Sequence, residues 1–167
     1  INTNVNTERV YLVVHNGEKI SLAVMGSITA GKASFQIDQS KLNDGISHFT
    51  IFNGDGQPVG ERLFFKKPVN KLNINAATEA LQYANRKKVT VNWSSANQLN
   101  KEEYADFSMA VYRVDSLQSV DQDDIVSYFW LTSNLKGNVE MPNYYLTSDS
   151  KESKLALNNL LLTQGWR

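Results

Sequence analysis

Apolar and polar residues alternate along the first part of the chain, which is the period-two pattern of half-buried β-strands. In residues 9–26 one alternating run ends at Asn16-Gly17 and another follows it. An Asn-Gly pair between two such runs is a strong hairpin signal, so we predict a pair of strands here. Residues 32–39 alternate in the same way, and residues 45–65 hold two more runs around a Gly-rich turn. Five strands at roughly ten-residue spacing predict an antiparallel β-sandwich.

A short charged segment that contains a proline, residues 66–71, separates this region from a second β-rich one. Such segments are typical of domain boundaries. Beyond it, residues 71–77, 87–93 and 105–114 alternate apolar and polar positions and predict further strands.

The last third of the chain has the spacing of helices. Residues 123–136 place two acids before an apolar run that closes at Gly137, and carboxylates stabilise the positive end of a helix. Residues 150–164 carry leucines on one helical face. For this helix we predict a start at Asp149, with Glu152 completing a variant of the capping box.

Together these patterns predict a mainly-β fold of two consecutive domains, an antiparallel β-sandwich followed by a second β-rich domain. Residues 1–67 form the first domain, and the sequence leaves open whether that domain is complete. Residues 68–167 form the second domain, which ends in the C-terminal helix.

Composition narrows the range of partners. The chain has 17 basic and 17 acidic residues, so its formal net charge is zero. It therefore lacks the electrostatic attraction with which proteins bind nucleic acid or an anionic membrane surface. We therefore expect no nucleic acid as a partner. No run of the sequence approaches the roughly 20 apolar residues that span a bilayer, so we also expect no direct membrane insertion. The start has no Met and no leader-like segment, and we expect this sequence to be a piece of a longer protein.

Candidate chemistry is sparse. The chain has no cysteine and only two histidines, His15 beside the predicted hairpin turn and His48 inside a predicted strand. Catalytic, phosphate-binding and dinucleotide-binding motifs are absent from the sequence. The acids Asp121, Asp123 and Asp124 fit a helix N-terminus better than a calcium loop, since they lack the glycine and the downstream carboxylate of an EF-hand. We predict no cofactor, no metal site and no enzymatic activity.

Large aromatic residues are the remaining candidates for a binding surface. Trp93, Trp130, Tyr144 and Tyr145 could stack on a glycan or contact a peptide, or they could pack inside the protein. We retain Trp130, Tyr144, Tyr145 and Trp166 as a candidate ligand or partner surface. Trp166 stands almost at the end of the sequence, in a tail that we expect to belong to a junction between domains. There it either folds back on the last helix or is disordered because its normal neighbours are missing.

Three segments resemble the macroglobulin-like (MG domain) region of large exported proteins of Bacteroidota. They are DGISHFTIFNGDGQPVGERLFF at 44–65, TSNLKGNVEMPNYYL at 132–146 and ALNNLLLTQGWR at 156–167. The resemblance implies that residues 1–67 and 68–167 are two consecutive immunoglobulin-like, MG-like antiparallel β-sandwich domains. It also implies a place in the periplasm or at the outer membrane or cell surface of a Gram-negative bacterium. Some members of that family also carry carboxypeptidase-regulatory-like and TonB-receptor plug domains, which implies an association with nutrient uptake across the outer membrane.

The resemblance also implies which partners and residues matter. The partners are neighbouring domains of a longer parent chain, with envelope proteins or glycans beside them. Glu61, Arg62, Gly137, Pro142 and residues 165–167 match family positions, and the implied roles are structural. Protease-trapping macroglobulins use a Cys-Gly-Glu-Gln thioester, whereas this chain has no cysteine. The implied function is therefore a non-enzymatic structural or interaction module, with a glycan- or peptide-binding module as the alternative.

Overall fold

The computed structural model describes residues 9–114 and 124–165. These residues form a mainly-β fold with two antiparallel sheets, one of four strands and one of two, and a few short helices. They divide into two compact units: residues 9–67 together with 124–165, and residues 68–114. The first boundary falls at the predicted linker. The C-terminal helices belong to the first unit, whereas the sequence analysis placed them in the second domain.

The larger sheet belongs to the first unit and has the strand order β2-β1-β3-β4. Its strands are β1 Arg9–His15, β2 Ile20–Ser27, β3 Gly45–Phe52 and β4 Pro58–Lys66. The predicted hairpin between β1 and β2 is confirmed. Its loop is held by Asn16, whose side-chain oxygen accepts hydrogen bonds from the N–H groups of Glu18 and Lys19, while Gly17 adopts a positive φ of 94°.

Among the described residues, one face of this sheet is covered by a connecting segment. Alternate residues of β1 are buried there, Val14 completely. Residues 32–39, predicted as a strand, lie over this face and belong to neither sheet of the described residues. Their apolar side chains, Ala33, Phe35 and Ile37, pack on the core instead. The alternating pattern does correspond to a segment with one buried side. Such a segment need not pair with another strand.

The opposite face carries the helices. They are α1 Ile125–Trp130, α2 Pro142–Thr147 and α3 Lys151–Thr163, with a 3₁₀ turn at Thr132–Asn134. A single core joins these helices to β3 and β4, and its buried members are Ile46, Leu63, Phe65, Leu131, Leu135, Val139, Leu146 and Leu161. Since burial of one such side chain contributes about 1.5–3 kcal/mol, this core explains why the helices fold with the first unit.

Side-chain caps set the starts of two helices. Asp124 accepts a hydrogen bond from the N–H of Ser127 at 2.7 Å, and the Ser127 hydroxyl accepts one from the N–H of Asp124 at 3.2 Å. This reciprocal capping box confirms a helix in the predicted region. The last helix begins one residue later than predicted, because Ser150, rather than Asp149, caps it by accepting from the N–H of Ser153 at 3.1 Å.

The second unit contains the smaller sheet, β5 Asn73–Thr78 paired with β6 Val91–Ala96. Both strands were predicted. The third predicted strand, residues 105–114, has no regular secondary structure. A mainly-β fold is thereby confirmed, while the two β-sandwiches of the sequence analysis stay a prediction.

The two-stranded sheet has one polar and one apolar face. Its register places Asn75 opposite Ser94 on the first face and Ala76 opposite Trp93 on the second. The Trp93 ring contacts that of Phe107, with the ring centroids 5.8 Å apart, yet both side chains stay more than two-fifths exposed. The apolar face is therefore only partly covered by the described residues.

Candidate functional site

Trp130, one of the candidates for a binding surface, packs against the hydrophobic core. It ends α1 and lies half-buried against the core of the first unit. The ring is close to Gly45, where a Cβ would come within 3.1 Å of Cε3 of the indole. Gly45 also has a φ of +87°, a conformation that strains other residues, so both the backbone and the nearby ring favour glycine here.

The two adjacent tyrosines of α2 have different environments. Tyr145 packs against the same core as Trp130, whereas Tyr144 is 40% exposed. Their rings meet edge to face, with centroids 5.5 Å apart. Trp166, the fourth predicted residue, lies outside the described residues. Of the predicted surface, only Tyr144 presents an exposed ring in the part of the chain that the structure describes.

A different aromatic surface lies on α1. Tyr128 and Phe129 are both more than half exposed, with ring centroids 5.5 Å apart, and Ile125 and Val126 are exposed beside them. The buried member of this helix is Ser127. The sequence held a signal for this orientation, because the Asp-x-x-Ser capping box turns the serine inward.

The positions that match the family tie distant segments together. Arg62 on β4 donates to the side-chain oxygen of Asn158 on α3 at 2.6 Å. The backbone N–H of Lys136 donates to the carbonyl of Gly165 at 2.9 Å. Next to it, Gly137 adopts a φ of +86°, and a Cβ there would lie 3.1 Å from the side-chain oxygen of Gln164. These contacts join the middle of α3 to β4, and the segment after α3 to the loop before α2.

The two histidines that the sequence left without partners are neighbours. His15 and His48 stand opposite each other on β1 and β3, with ring centroids 5.0 Å apart. His15 Nδ1 accepts a hydrogen bond from the N–H of Gly17 at 3.1 Å, and His48 Nε2 lies 3.5 Å from a carboxylate oxygen of Glu61. Burial lowers the pKa of His15 and the neighbouring His48 lowers it further, against an opposing effect of Glu61.

The other candidate ligands have local structural roles. Asp124 is a helix cap, while Asp121 and Asp123 lie outside the described residues. In the Gly-rich turn, the Asn53 side chain accepts hydrogen bonds from the N–H groups of Asp55 and Gln57. Over residues 9–114 and 124–165, no group of three or more His, Asp or Glu side chains is arranged to hold a metal ion. None of the helices in these ranges has the length and apolar character to cross a membrane.

Two grooves lie beside β4. The apolar groove has a volume of about 480 Å³ and is formed by residues 59–62 of β4 together with apolar side chains that include Phe35, Ile37, Phe49 and Ile51. The helix groove, of about 470 Å³, runs between β4 and α3 and is lined by residues that include Phe64, Tyr145, Leu157 and Leu161. Arg62 borders both grooves.

No family model, curated protein or solved structure matches this chain. The resemblance to macroglobulin-like proteins therefore rests on the three sequence segments alone.

Proposed function

We propose that this chain is a non-enzymatic, macroglobulin-like structural and interaction module of a larger exported protein at the envelope of a Gram-negative bacterium. Its partners are neighbouring domains of the parent chain, and the parent protein is associated with nutrient uptake across the outer membrane. The observation that carries the proposal is that the three family-like segments, which are far apart in the sequence, share one hydrophobic core.

Each segment contributes buried side chains to that core. The segment at 44–65 supplies Ile46, Leu63 and Phe65, the one at 132–146 supplies Leu135, Val139 and Leu146, and the last supplies Leu161. Three coincidental matches would have no reason to meet in this way. Their convergence supports the interpretation of the series as one inherited structural unit.

The histidine cluster supports a structural role. His48 is only 8% exposed, and His15 uses its Nδ1 to hold the hairpin loop. A general base needs an accessible nitrogen within reach of a substrate. The adjacent Ser47 is completely buried, and successive residues of a strand point to opposite faces, so this serine is not placed as a nucleophile for His48.

In this proposal the two-stranded sheet is part of a second MG-like sandwich. Ile74, Val91 and Trp93 lie on its apolar face, and an isolated pair of strands is marginally stable in water. A neighbouring domain or strand of the parent chain would bury this face. That requirement supports a module that works inside a larger protein.

Cell fractionation of the source bacterium tests the proposal. An antibody raised against residues 9–67 should detect a protein much larger than 167 residues in the envelope fraction. The protein should be cleaved by protease that is added to intact cells or to cells after osmotic shock. A cytoplasmic enzyme and an outer-membrane protein serve as fractionation markers. Detection of a free chain of about this length in the cytoplasm would refute the proposal.

A further inference from the structure

The outer edge of β4 is open to pairing in the described residues. β4 is the last strand of its sheet, so alternate backbone N–H and C=O groups point away from β3. None of the backbone hydrogen bonds among the described residues joins this edge to another segment. An extended chain could therefore add to β4 as a fifth strand.

The two grooves lie where the side chains of such a strand would fall. The apolar groove borders residues 59–62 on the face covered by residues 32–39, and the helix groove borders residues 62–67 on the side of α3. Alternate side chains of an added strand point to opposite faces. One half of the strand would thus place side chains in the apolar groove, and the other half would place them in the helix groove.

The helix groove carries excess positive charge. Arg62, Lys67 and Lys154 line it, against one carboxylate, that of Asp149. Lys67 is paired with Asp149 at 2.8 Å, whereas Arg62 contacts the neutral amide of Asn158. Lys154 forms no ion pair with any other described residue. Acidic side chains on the added strand would complement the charges of Arg62 and Lys154.

We propose that the edge of β4 binds an extended peptide, supplied by another protein, with apolar residues in one half and acidic residues in the other. Main-chain hydrogen bonds to β4 hold the peptide, and the two grooves select alternate side chains, as in other cases of β-strand addition. The nine residues of β4 set the length of the site at about eight peptide residues. The peptide comes from another protein, whereas the proposed function concerns neighbouring domains of the parent chain. A failure of peptide binding would therefore leave the proposed function unaffected.

Fluorescein-labelled synthetic peptides test the proposal on the whole chain. The probe is Ile-Thr-Val-Thr-Val-Glu-Thr-Glu, used together with its reversed sequence because a strand can add in either direction. Matched peptides carry Lys in place of Glu, and a third set is N-methylated at alternate amides. Fluorescence anisotropy should show that at least one Glu peptide binds with a Kd below about 1 mM. The Lys and N-methylated forms should bind at least about tenfold more weakly.

Two lysines of α3 give a matched pair of variants. Lys154 lies in the helix groove, while Lys151 is an exposed residue at the start of the same helix and outside the groove. Lys154→Glu should weaken binding of the Glu peptide by about tenfold, and Lys151→Glu should leave it unchanged. Amide chemical shifts should move at residues 59–67 when the peptide is added.

Several results would overturn the proposal. They are no binding of either Glu peptide at about 1 mM, equal binding of Glu and Lys peptides, equal effects of the two lysine variants, or shifts confined to other residues. A dimer in sedimentation velocity with protected β4 amides would identify a second copy of the chain as the occupant, and would also overturn it.

Discussion

His15 stands at the end of β1 with its Nδ1 accepting the Gly17 N–H, and its neutral form suits this position. Burial and the nearby His48 both disfavour a charge on its ring, so the pKa of His15 is lowered from its ordinary value of 6.5. The protonated ring would also lose the acceptor at Nδ1 that holds the hairpin. The hairpin is therefore best formed above the pH at which this ring titrates.

The stability of the first unit should consequently fall in acid. Below pH 6.5 the unfolded chain binds a proton at His15 before the folded chain does, so the free energy of unfolding decreases as the pH falls from 6.5 towards the folded pKa. Denaturant titrations across this range should show that decrease. His15→Asn, which keeps a side-chain acceptor, should reduce the pH dependence, and an unchanged slope would contradict this explanation.

At the scale of single residues, the sequence identified the histidines and the aromatic residues as candidates, but it did not predict which residues they contact. His15 and His48 are 33 residues apart, and only the strand register places them opposite each other. For Trp130 and Tyr145 the sequence left open both a surface and a core position. Their packing depends on Gly45 and on the helical core, which are contacts between distant segments that no local pattern encodes.

Among the secondary-structure elements, α3 shows how one side chain sets a boundary. Both Asp149 and Ser150 are good N-cap residues, and sequence alone favoured the aspartate. In the structure Asp149 accepts a hydrogen bond from Lys67 at 2.8 Å, and Ser150 caps the helix. The partner of Asp149 is thus a lysine 82 residues away in the sequence, which no local pattern predicts.

Two alanine variants should separate these roles. Ser150→Ala removes the cap of α3 and should lower the free energy of unfolding by about 1 kcal/mol. Asp149→Ala removes an ion pair whose aspartate is 73% exposed, and should cost less than about 0.5 kcal/mol. Urea denaturation followed by circular dichroism measures both. A larger loss for Asp149→Ala than for Ser150→Ala would show that Asp149 caps the helix, as the sequence predicted.

Strand prediction succeeded where a partner strand lies close in sequence and failed elsewhere. The β1–β2 and β3–β4 hairpins follow from local turns, so alternation was a sufficient guide. Residues 32–39 and 105–114 have the same alternation but belong to neither sheet in the part of the chain that the structure describes. Periodicity reports which side chains face an apolar surface, whereas a strand also needs a neighbouring backbone with which to pair.

The whole molecule consists of two units with very different interiors. The first buries two hydrophobic clusters, one on each side of its sheet. In the second unit, nearly all residues of 68–114 keep substantial solvent exposure, and its sheet has only two strands. The sequence predicted the linker at 66–71, but it could not show that later helices return to the earlier unit.

Hydrogen exchange should reveal this difference. Amides of β1 and β3, which lie inside the larger sheet, should exchange most slowly, since opening them requires loss of two clusters. Amides of β5 and β6 should exchange much faster, by at least about a hundredfold. Mass spectrometry after pepsin digestion measures both sets in one sample. Equal protection of the two sheets would show that residues 68–114 are stabilised as strongly as the first unit.

The contact between Arg62 and Asn158 joins residues 96 positions apart in the sequence, and it has a consequence for synthesis. A ribosome releases β4 long before it releases α3, so the apolar side chains of Leu63 and Phe65 emerge without their cover. All of residues 68–114 must be made before the helices arrive to bury them. During that interval the exposed apolar side chains make the nascent sheet prone to aggregation, and slow translation of the middle region would prolong that exposure.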